Sequence, residues 1–204
     1  MKLTELDVPA SVIGYFFEVL LARELENRHQ TVWRGNRSKE EKDLVCLTDP
    51  GSSFEIKTSG QLGYKVYGNR SYGQKAENES LVKKEKSGYY ATVNFYERIL
   101  TLIRFGWIDA DDWVPQGSPT GQMAALKPAV YQYKLIPVSG AYRRLGPVRL
   151  LDKVGPVTAT ELAGLGIQTI GDLIDKQGTL PSHLAKIASA NRSFLDECSD
   201  PPDR

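Results

Sequence analysis

The stretch KDLVCLTDPGSSFEIKTS, residues 42–59, constrains the fold more than any other part of the chain. Two β-rich runs, 43–47 and 54–58, flank Asp49-Pro50-Gly51-Ser52. Proline fixes φ and glycine accepts the sharp bend, so the chain doubles back as an antiparallel hairpin. With the bend centred between Pro50 and Gly51, partner numbers add to about 101, which sets Asp43 across from Thr58 and beside Lys57. Side chains alternate along a strand, so Glu55 and Lys57 share one face while Ile56 turns into the core.

That geometry gathers a chemically useful set. Asp43, Glu55 and the Ile56 carbonyl are oxygen donors of the kind a hard cation such as Mg²⁺ takes, with Mn²⁺ as a substitute. The Lys57 ammonium holds a phosphate or lowers the pKa of a water. Together they are a minimum kit for hydrolysing a phosphodiester. A surface hairpin also carries such residues for solubility alone, and the trio by itself leaves both readings open. A carboxylate set among apolar strands is costly without a partner, and a metal supplies one.

The rest of the chain places this hairpin in a larger order. Residues 10–27 follow Pro9 and carry Ile13, Phe16, Phe17, Leu20, Leu21 and Leu25 at helical spacing, which predicts one broad buried stripe. Residues 31–34 form a short strand. After the hairpin come a Gly- and Tyr-rich segment too irregular for either regular structure, a charged helix over 75–86, and strands over 89–95 and 98–107. A hydrophobic content of 41% over 204 residues allows one good core with chain left for a small appended module. The net charge of +1 excludes a uniformly basic nucleic-acid binder, but the basic residues concentrate around the acidic trio. Arg28, Arg34, Arg37, Lys39 and Lys42 precede it; Lys65, Arg70, Lys75, Lys83, Lys84 and Lys86 follow.

Cys46 and Cys198 cannot build a disulfide framework or a metal site, and they fit a reducing cytoplasm. The apolar stretch VIGYFFEVLLA holds Glu18 and lacks a basic leader and a cleavage site; it is neither a signal peptide nor long enough to span a bilayer.

Asp43, Glu55-Ile56-Lys57, a preceding helix with Glu18 and the α-β-β-β-α-β order resemble the PD-(D/E)xK nuclease superfamily. Lys42 stands where the motif has proline, and Asp49-Pro50, reversed and within the turn, is not the motif acid. Within that superfamily, EIKTSGQ, YGNRSYGQK, GYYATVNF, IRFGWIDADDW and TGQMAALKP are similar to ScaI-type restriction endonucleases over residues 1–144. The resemblance implies an α/β (α+β) fold, with a mixed sheet flanked by helices. It also implies a Mg²⁺-dependent type II endonuclease that cuts both strands of a short palindromic DNA site, normally as a homodimer, alongside a cognate methyltransferase in the same cell. Asp43, Glu55 and Ile56 would hold the metal, and Lys57 would orient or deprotonate the attacking water. Glu18 would hold a second metal through water if its helix faces the cleft, and is otherwise a solvated or helix-pairing residue.

Reading a sequence requires further donors and acceptors in a groove. Residues 59–75 offer Gln61, Asn69, Arg70 and Gln74 for base edges and Lys65 and Lys75 for phosphates. Residues 113–127 offer Gln116, Thr120 and Gln122. The chain changes character after Gly140. A basic connector with Arg143 and Arg144 leads into a helix-hairpin-helix-like, all-helical module over 145–196. Its helices are read as 150–154, 158–165 and a third from Thr169, with a Gly155-Pro156-Val157 hairpin. There the N–H groups of Gly155 and Val157 would meet a DNA phosphate, although Pro156 removes one donor. The same helices serve equally as a packing or dimerisation element. Residues 197–204 read as a disordered tail.

Three function classes remain: a site-specific endonuclease, a structure-selective repair nuclease or junction resolvase, and a non-catalytic DNA-binding protein. The acidic–lysine trio favours the first two over the third. The polar loop insertions favour the first over the second.

Overall fold

The computed structural model describes residues 9–69, 86–117 and 123–198. The chain divides into two compact units, Met1–Arg98 with Ile103–Pro137 and Ile99–Leu102 with Val138–Arg204. It opens with helix α1 (Ala10–Arg28), then strands β1 (Trp33–Gly35), β2 (Leu44–Cys46), β3 (Phe54–Ser59) and β4 (Tyr67–Asn69). Strands β5 (Gly88–Tyr96), β6 (Ile99–Ile108), β7 (Trp113–Pro115) and β8 (Met123–Leu126) follow, then the short helix α2 (Pro128–Tyr133) and β9 (Leu135–Pro137). The result is a mixed α/β fold of the restriction-endonuclease-like kind, with a six-stranded sheet ordered β1-β2-β3-β5-β6-β9. Pairing is antiparallel for β1–β2 and β2–β3, parallel for β3–β5 and antiparallel for β6–β9.

The hairpin forms, but in another register. Leu44 pairs with Phe54, so partner numbers add to 98 rather than 101, and Asp43 continues toward Glu55 instead of Thr58. Side chains inside the bend cause the shift. The Asp49 carboxylate accepts from Gly51 N–H at 3.1 Å and from the Ser52 hydroxyl at 2.5 Å, closing a 3-10 turn over Pro50–Ser52. The Ser53 hydroxyl accepts the Cys46 N–H at 3.0 Å, in place of a strand partner. Asp49 is thereby a turn cap, the Asx behaviour that competes with ladder pairing.

Helix α1 lies against β1 and β3 through its small residues. A Cβ on Gly14 would lie 3.1 Å from the Thr58 Cβ and collide with its hydroxyl, so only glycine permits this approach. The broad buried stripe expected on α1 is not present: Phe16 and Leu20 are 48% and 62% exposed. Ile13, Phe17, Leu21 and Leu25 are half-buried, because contact runs along the Gly14 and Ala22 side and cannot enclose so wide an apolar arc. Ring contacts link four strands, with centroids 5.5 Å apart for Trp33–Phe54, 5.3 Å for Phe54–Phe105 and 5.1 Å for Tyr89–Trp107. Each adds roughly 0.5–1.5 kcal/mol beyond area burial.

The segment expected to be irregular supplies β4. It pairs with β8, which pairs with β7, in a second sheet ordered β4-β8-β7. Its apolar side packs on the main sheet around Tyr90, with Val66, Ile108, Trp113, Ala124 and Leu126. The expected helix over 75–86 lies outside the described residues apart from its last position.

The second unit is helical, with α3 (Pro156–Gly164), α4 (Ile170–Asp175), α5 (Ser182–Ala190) and α6 (Arg192–Cys198) around Leu162, Ile167, Ile170, Leu173, Leu184 and Leu195. Residues 150–154 are not a helix. A 3-10 turn spans Val148–Leu150, and Lys153 takes φ +67°, a left-handed conformation that stops any continuation. Gly155 is the N-cap of α3, whose first turn takes in Pro156 and Val157, so the reversal between helices falls at Gly166, φ +69°, between α3 and α4. Thr169 and Asp172 close a capping box on α4. Helix α6 continues through Cys198, buried in this core, beyond the point where the sequence placed the start of the tail; 199–204 lie outside the described residues.

Candidate active site

Strand β3 lies inside the six-stranded sheet and carries Glu55, Lys57 and Ser59 on one face. In the parallel register with β5 they stand beside Tyr90, Thr92 and Asn94. Glu55 is only 4% exposed, and its Oε1 accepts from the Lys57 ammonium at 2.6 Å. The same ammonium donates to the Ile56 carbonyl at 3.3 Å. Asp43, just ahead of β2, is fixed by accepting the Ile56 N–H at 2.8 Å through Oδ2. The shifted register makes this possible, since it sets Asp43 beside Glu55 and Ile56. Asp43, Glu55, Lys57 and the Ile56 backbone are thus linked by hydrogen bonds around one stretch of β3.

The approach to Asp43 is braced. Glu41 accepts two bonds from Arg34, at 3.0 and 2.6 Å, and one from Arg37 N–H at 2.6 Å. The Arg34 guanidinium foremost, and then Arg37 N–H, hold the Glu41 carboxyl down at about 2. Glu18 reaches the same neighbourhood from α1. It lines a groove of about 500 Å³ together with Ala22, Glu26, Asn36 and Asp43.

A polar cluster that sequence reading missed continues this face. Arg104, 6% exposed on β6, donates to the Tyr64 carbonyl at 3.1 Å and to Asn94 Oδ1 at 3.2 Å. Asn94 Nδ2 donates in turn to the Lys65 carbonyl at 3.0 Å. The Tyr131 hydroxyl accepts the Val66 N–H at 3.0 Å, and burial raises its pKa. Arg104 lies over the Tyr131 ring at 5.2 Å. These groups tie down the loop that leaves β3. The only sequence signal was a charged residue at an apolar-strand position; its partners lie 10 to 40 residues away.

The donor set suits a hard cation. The Lys57 ammonium already sits on Glu55 Oε1 and the Ile56 carbonyl, so a positive charge occupies the point where those oxygens meet. Among the described residues no group of three or more His, Cys, Asp or Glu side chains is placed to hold a metal. Two carboxylates and a carbonyl suit Mg²⁺, which usually keeps several waters and completes its shell with substrate oxygens.

The family model described as ScaI restriction endonuclease matches residues 3–139, which include β1 to β9 and every residue of this site. The chain belongs to the ScaI restriction endonuclease family. The type II restriction enzyme ScaI of Streptomyces caespitosus is 38% identical over 144 residues, 66% of this chain and 61% of that relative. The chain therefore aligns with less than two thirds of the relative's length. No solved structure matches. Among the described residues, no helix is long and apolar enough to cross a membrane.

Within the ScaI-family region, the two polar segments expected to read DNA meet at one end of the second sheet. Asn69, closing β4, pairs with Met123 at the start of β8, and Pro115, closing β7, pairs with the next residue, Ala124. Gln61 and Lys65 are exposed, while Gln116 is half-buried and its N–H donates to the Met123 carbonyl at 3.0 Å. Arg70, Gln74, Lys75, Thr120 and Gln122 lie outside the described residues.

In the second unit the arginines are placed differently from expectation. Arg143 is 1% exposed, with its guanidinium 4.6 Å from the Phe194 ring centroid, and does not present itself to DNA. Turning inward lets it stack on an aromatic face, which its sequence neighbours gave no means of foreseeing. Arg144 pairs with Asp175 at 2.6 Å. Val157 is exposed on the first turn of α3.

Proposed function

We propose that the chain is a Mg²⁺-dependent type II endonuclease that hydrolyses both strands of a short palindromic site in double-stranded DNA, working as a homodimer. The observation that carries this reading is the convergence on β3. Asp43 locked on the Ile56 N–H at 2.8 Å and Lys57 on Glu55 at 2.6 Å form, in a ScaI-family chain, the acid–acid–lysine set that phosphodiester hydrolysis needs.

Asp43, Glu55 and the Ile56 carbonyl would hold the metal. Bound there, Mg²⁺ would neutralise charge developing on the scissile phosphate and lower the pKa of water. Lys57 orients the attacking water and stabilises negative charge on phosphorus-bound oxygens, acting from a strand rather than a loop, so its backbone is set in advance while its side chain stays free to adjust. The Ile56 N–H holds Asp43 in place, and the Glu41–Arg34 brace limits drift of the segment before it. Glu18, which lines the same groove as Asp43, would hold a second ion through water.

Base reading falls to the two polar segments that flank the second sheet's pairing of Asn69 with Met123. Gln61, Asn69, Arg70 and Gln74 of the first polar segment and Gln116, Thr120 and Gln122 of the second would address base edges, with Lys65 and Lys75 on phosphates. The helical unit holds DNA backbone through the N–H groups that open α3, or it pairs two copies of the chain.

The test is to incubate the purified full chain with plasmid in Mg²⁺, with Ca²⁺ and EDTA controls, and to sequence the fragment ends. Discrete fragments sharing one palindrome are expected. Cutting at branches or flaps without a shared sequence would replace this reading with a structure-selective nuclease. The absence of cleavage in any divalent ion would replace it with DNA binding alone.

A further inference from the structure

Thr92 lies on β5 in register with Lys57, on the sheet face that carries Glu55 and Lys57. It is 0% exposed, and its hydroxyl has no hydrogen-bond partner among the described residues. Buried hydroxyls are nearly always partnered, because leaving one unmade costs stability that valine, of the same shape, would not incur. A threonine held at that position therefore implies a partner that is present in another state of the site.

We propose that Thr92 is the second seat of the Lys57 ammonium, and hence a positioning residue for the lysine; this rests on the metal and lysine roles proposed above. In the structure Lys57 sits on Glu55 Oε1 and the Ile56 carbonyl, the two groups assigned to the metal. An ammonium and a divalent cation repel strongly at such separations inside a protein, so both cannot share those oxygens. The lysine must give them up. Its four-carbon stem is flexible and its head carries three donors, while a threonine hydroxyl offers two acceptor lone pairs. Thr92 is the in-register neighbour across hydrogen-bonded strands, which stand about 4.8 Å apart. Moving there keeps the ammonium on the site face and beside the metal ligands, where a lysine that swung into solvent would no longer hold a water.

The test compares Thr92→Val and Thr92→Ser with the wild type and with Lys57→Ala, all as full chains. Three readouts are taken: melting temperature without metal, Ca²⁺ affinity by titration calorimetry and single-turnover plasmid cleavage in Mg²⁺. Thr92→Val should melt at or above the wild-type temperature, bind Ca²⁺ about five- to tenfold more weakly and cleave at least about tenfold more slowly, the scale of one charge-assisted hydrogen bond. Thr92→Ser, which keeps the hydroxyl, should restore affinity and rate to within about threefold. Wild-type Ca²⁺ affinity and cleavage in Thr92→Val would overturn the proposal and leave Thr92 as packing. So would a serine variant as impaired as the valine one, since the methyl group would then be the active feature. Lys57→Ala separates the two levels of inference. If it cleaves normally, the lysine's role falls and the Thr92 proposal with it; if it is inactive while Thr92→Val is normal, only the Thr92 proposal falls.

Discussion

Among the described residues of the first unit, two clusters each join two carboxylates and a lysine, and the proposed function assigns chemistry to one of them. On β3, Lys57 meets Glu55 at 2.6 Å, with Asp43 pinned alongside by the Ile56 N–H. Next to β9, Lys134 meets Asp109 at 2.7 Å and Asp112 at 2.6 Å. Distances do not separate them; surroundings do. Glu55 is almost wholly enclosed, and a backbone carbonyl joins its oxygens at the same ammonium. The second cluster is more open, with half of the Asp109 side chain exposed while Asp112 is buried. Asp112 there accepts the Asp109 N–H at 2.8 Å, so its oxygen serves a turn as well as the lysine. Lys134 closes a corner between β6 and β9; Lys57 sits on the two groups proposed as metal ligands.

The largest expected effect breaks or keeps this distinction directly. Lys57→Ala should reduce single-turnover cleavage by about 10³-fold or more while leaving DNA binding in Ca²⁺ within a few-fold, because the role proposed for it belongs to the chemical step. Lys134→Ala should cleave within about threefold of wild type and melt about 2–4 °C lower, on the order of 1 kcal/mol for a half-exposed ion pair in a chain this long. Equal losses of cleavage in both variants, measured on the same plasmid, would erase the contrast.

A second comparison uses the acids. Glu55→Gln and Asp43→Asn should each weaken Ca²⁺ binding by about tenfold or more in calorimetry, through loss of a ligand charge. Asp109→Asn should leave it unchanged. Unaltered affinity in both the Glu55 and the Asp43 variants would place the ligands elsewhere.

The β3 site was legible in sequence because its parts are local. Period-two alternation fixes Glu55 and Lys57 on one face whatever the remaining fold, and a Pro-Gly bend brings Asp43 back within twelve residues. Its register was not legible, because it depends on which side chain satisfies the Cys46 N–H, and Ser53 wins that bond. The second sheet was invisible for a different reason. Strand β4 is three residues long, and its stability comes from pairing with β8, more than fifty residues on. Arg104 and Asn94 were unreadable for the same reason, as was the inward turn of Arg143. The exposed Phe16 and Leu20 show the limit of periodicity, which marks an apolar arc without saying how much of it the neighbours cover.

Acid titration sharpens the comparison further. Lys134 foremost, and then the Trp107 N–H, hold the Asp109 carboxyl below its usual value. Its stabilisation is therefore complete above the unfolded carboxylate pKa of about 3.9 and is lost as pH falls through the lower folded value. Asp109 foremost, and then Asp112, raise the Lys134 pKa, so that side of the pair is complete below about 10.4 and lost as pH rises through the folded value. The melting difference between wild type and Lys134→Ala should thus be flat from about pH 5 to 9 and shrink at either extreme. A difference that varied across the neutral range would mean that some other group controls the pair.

The smallest effect concerns the brace before Asp43. Glu41→Gln removes the charge that grips Arg34 but leaves a side chain able to accept from the Arg37 N–H, so the loop loosens without opening. Cleavage should fall only about two- to threefold, since a half-buried ion pair near the surface contributes little and Asp43 keeps its bond to Ile56. The wild-type brace should also outlast other carboxylate contacts in acid. With Glu41 held down at about 2, its contribution stands above an unfolded pKa of about 4.3 and disappears only as pH falls through the folded value. Fluorescence-monitored acid unfolding of the two proteins should differ by a constant amount above about pH 5, and the difference should close between about pH 4 and 2. If Glu41→Gln instead lost cleavage as severely as Lys57→Ala, the loop would be part of the reacting site itself, and the division drawn here between groups that react and groups that merely hold position would move outward by one layer.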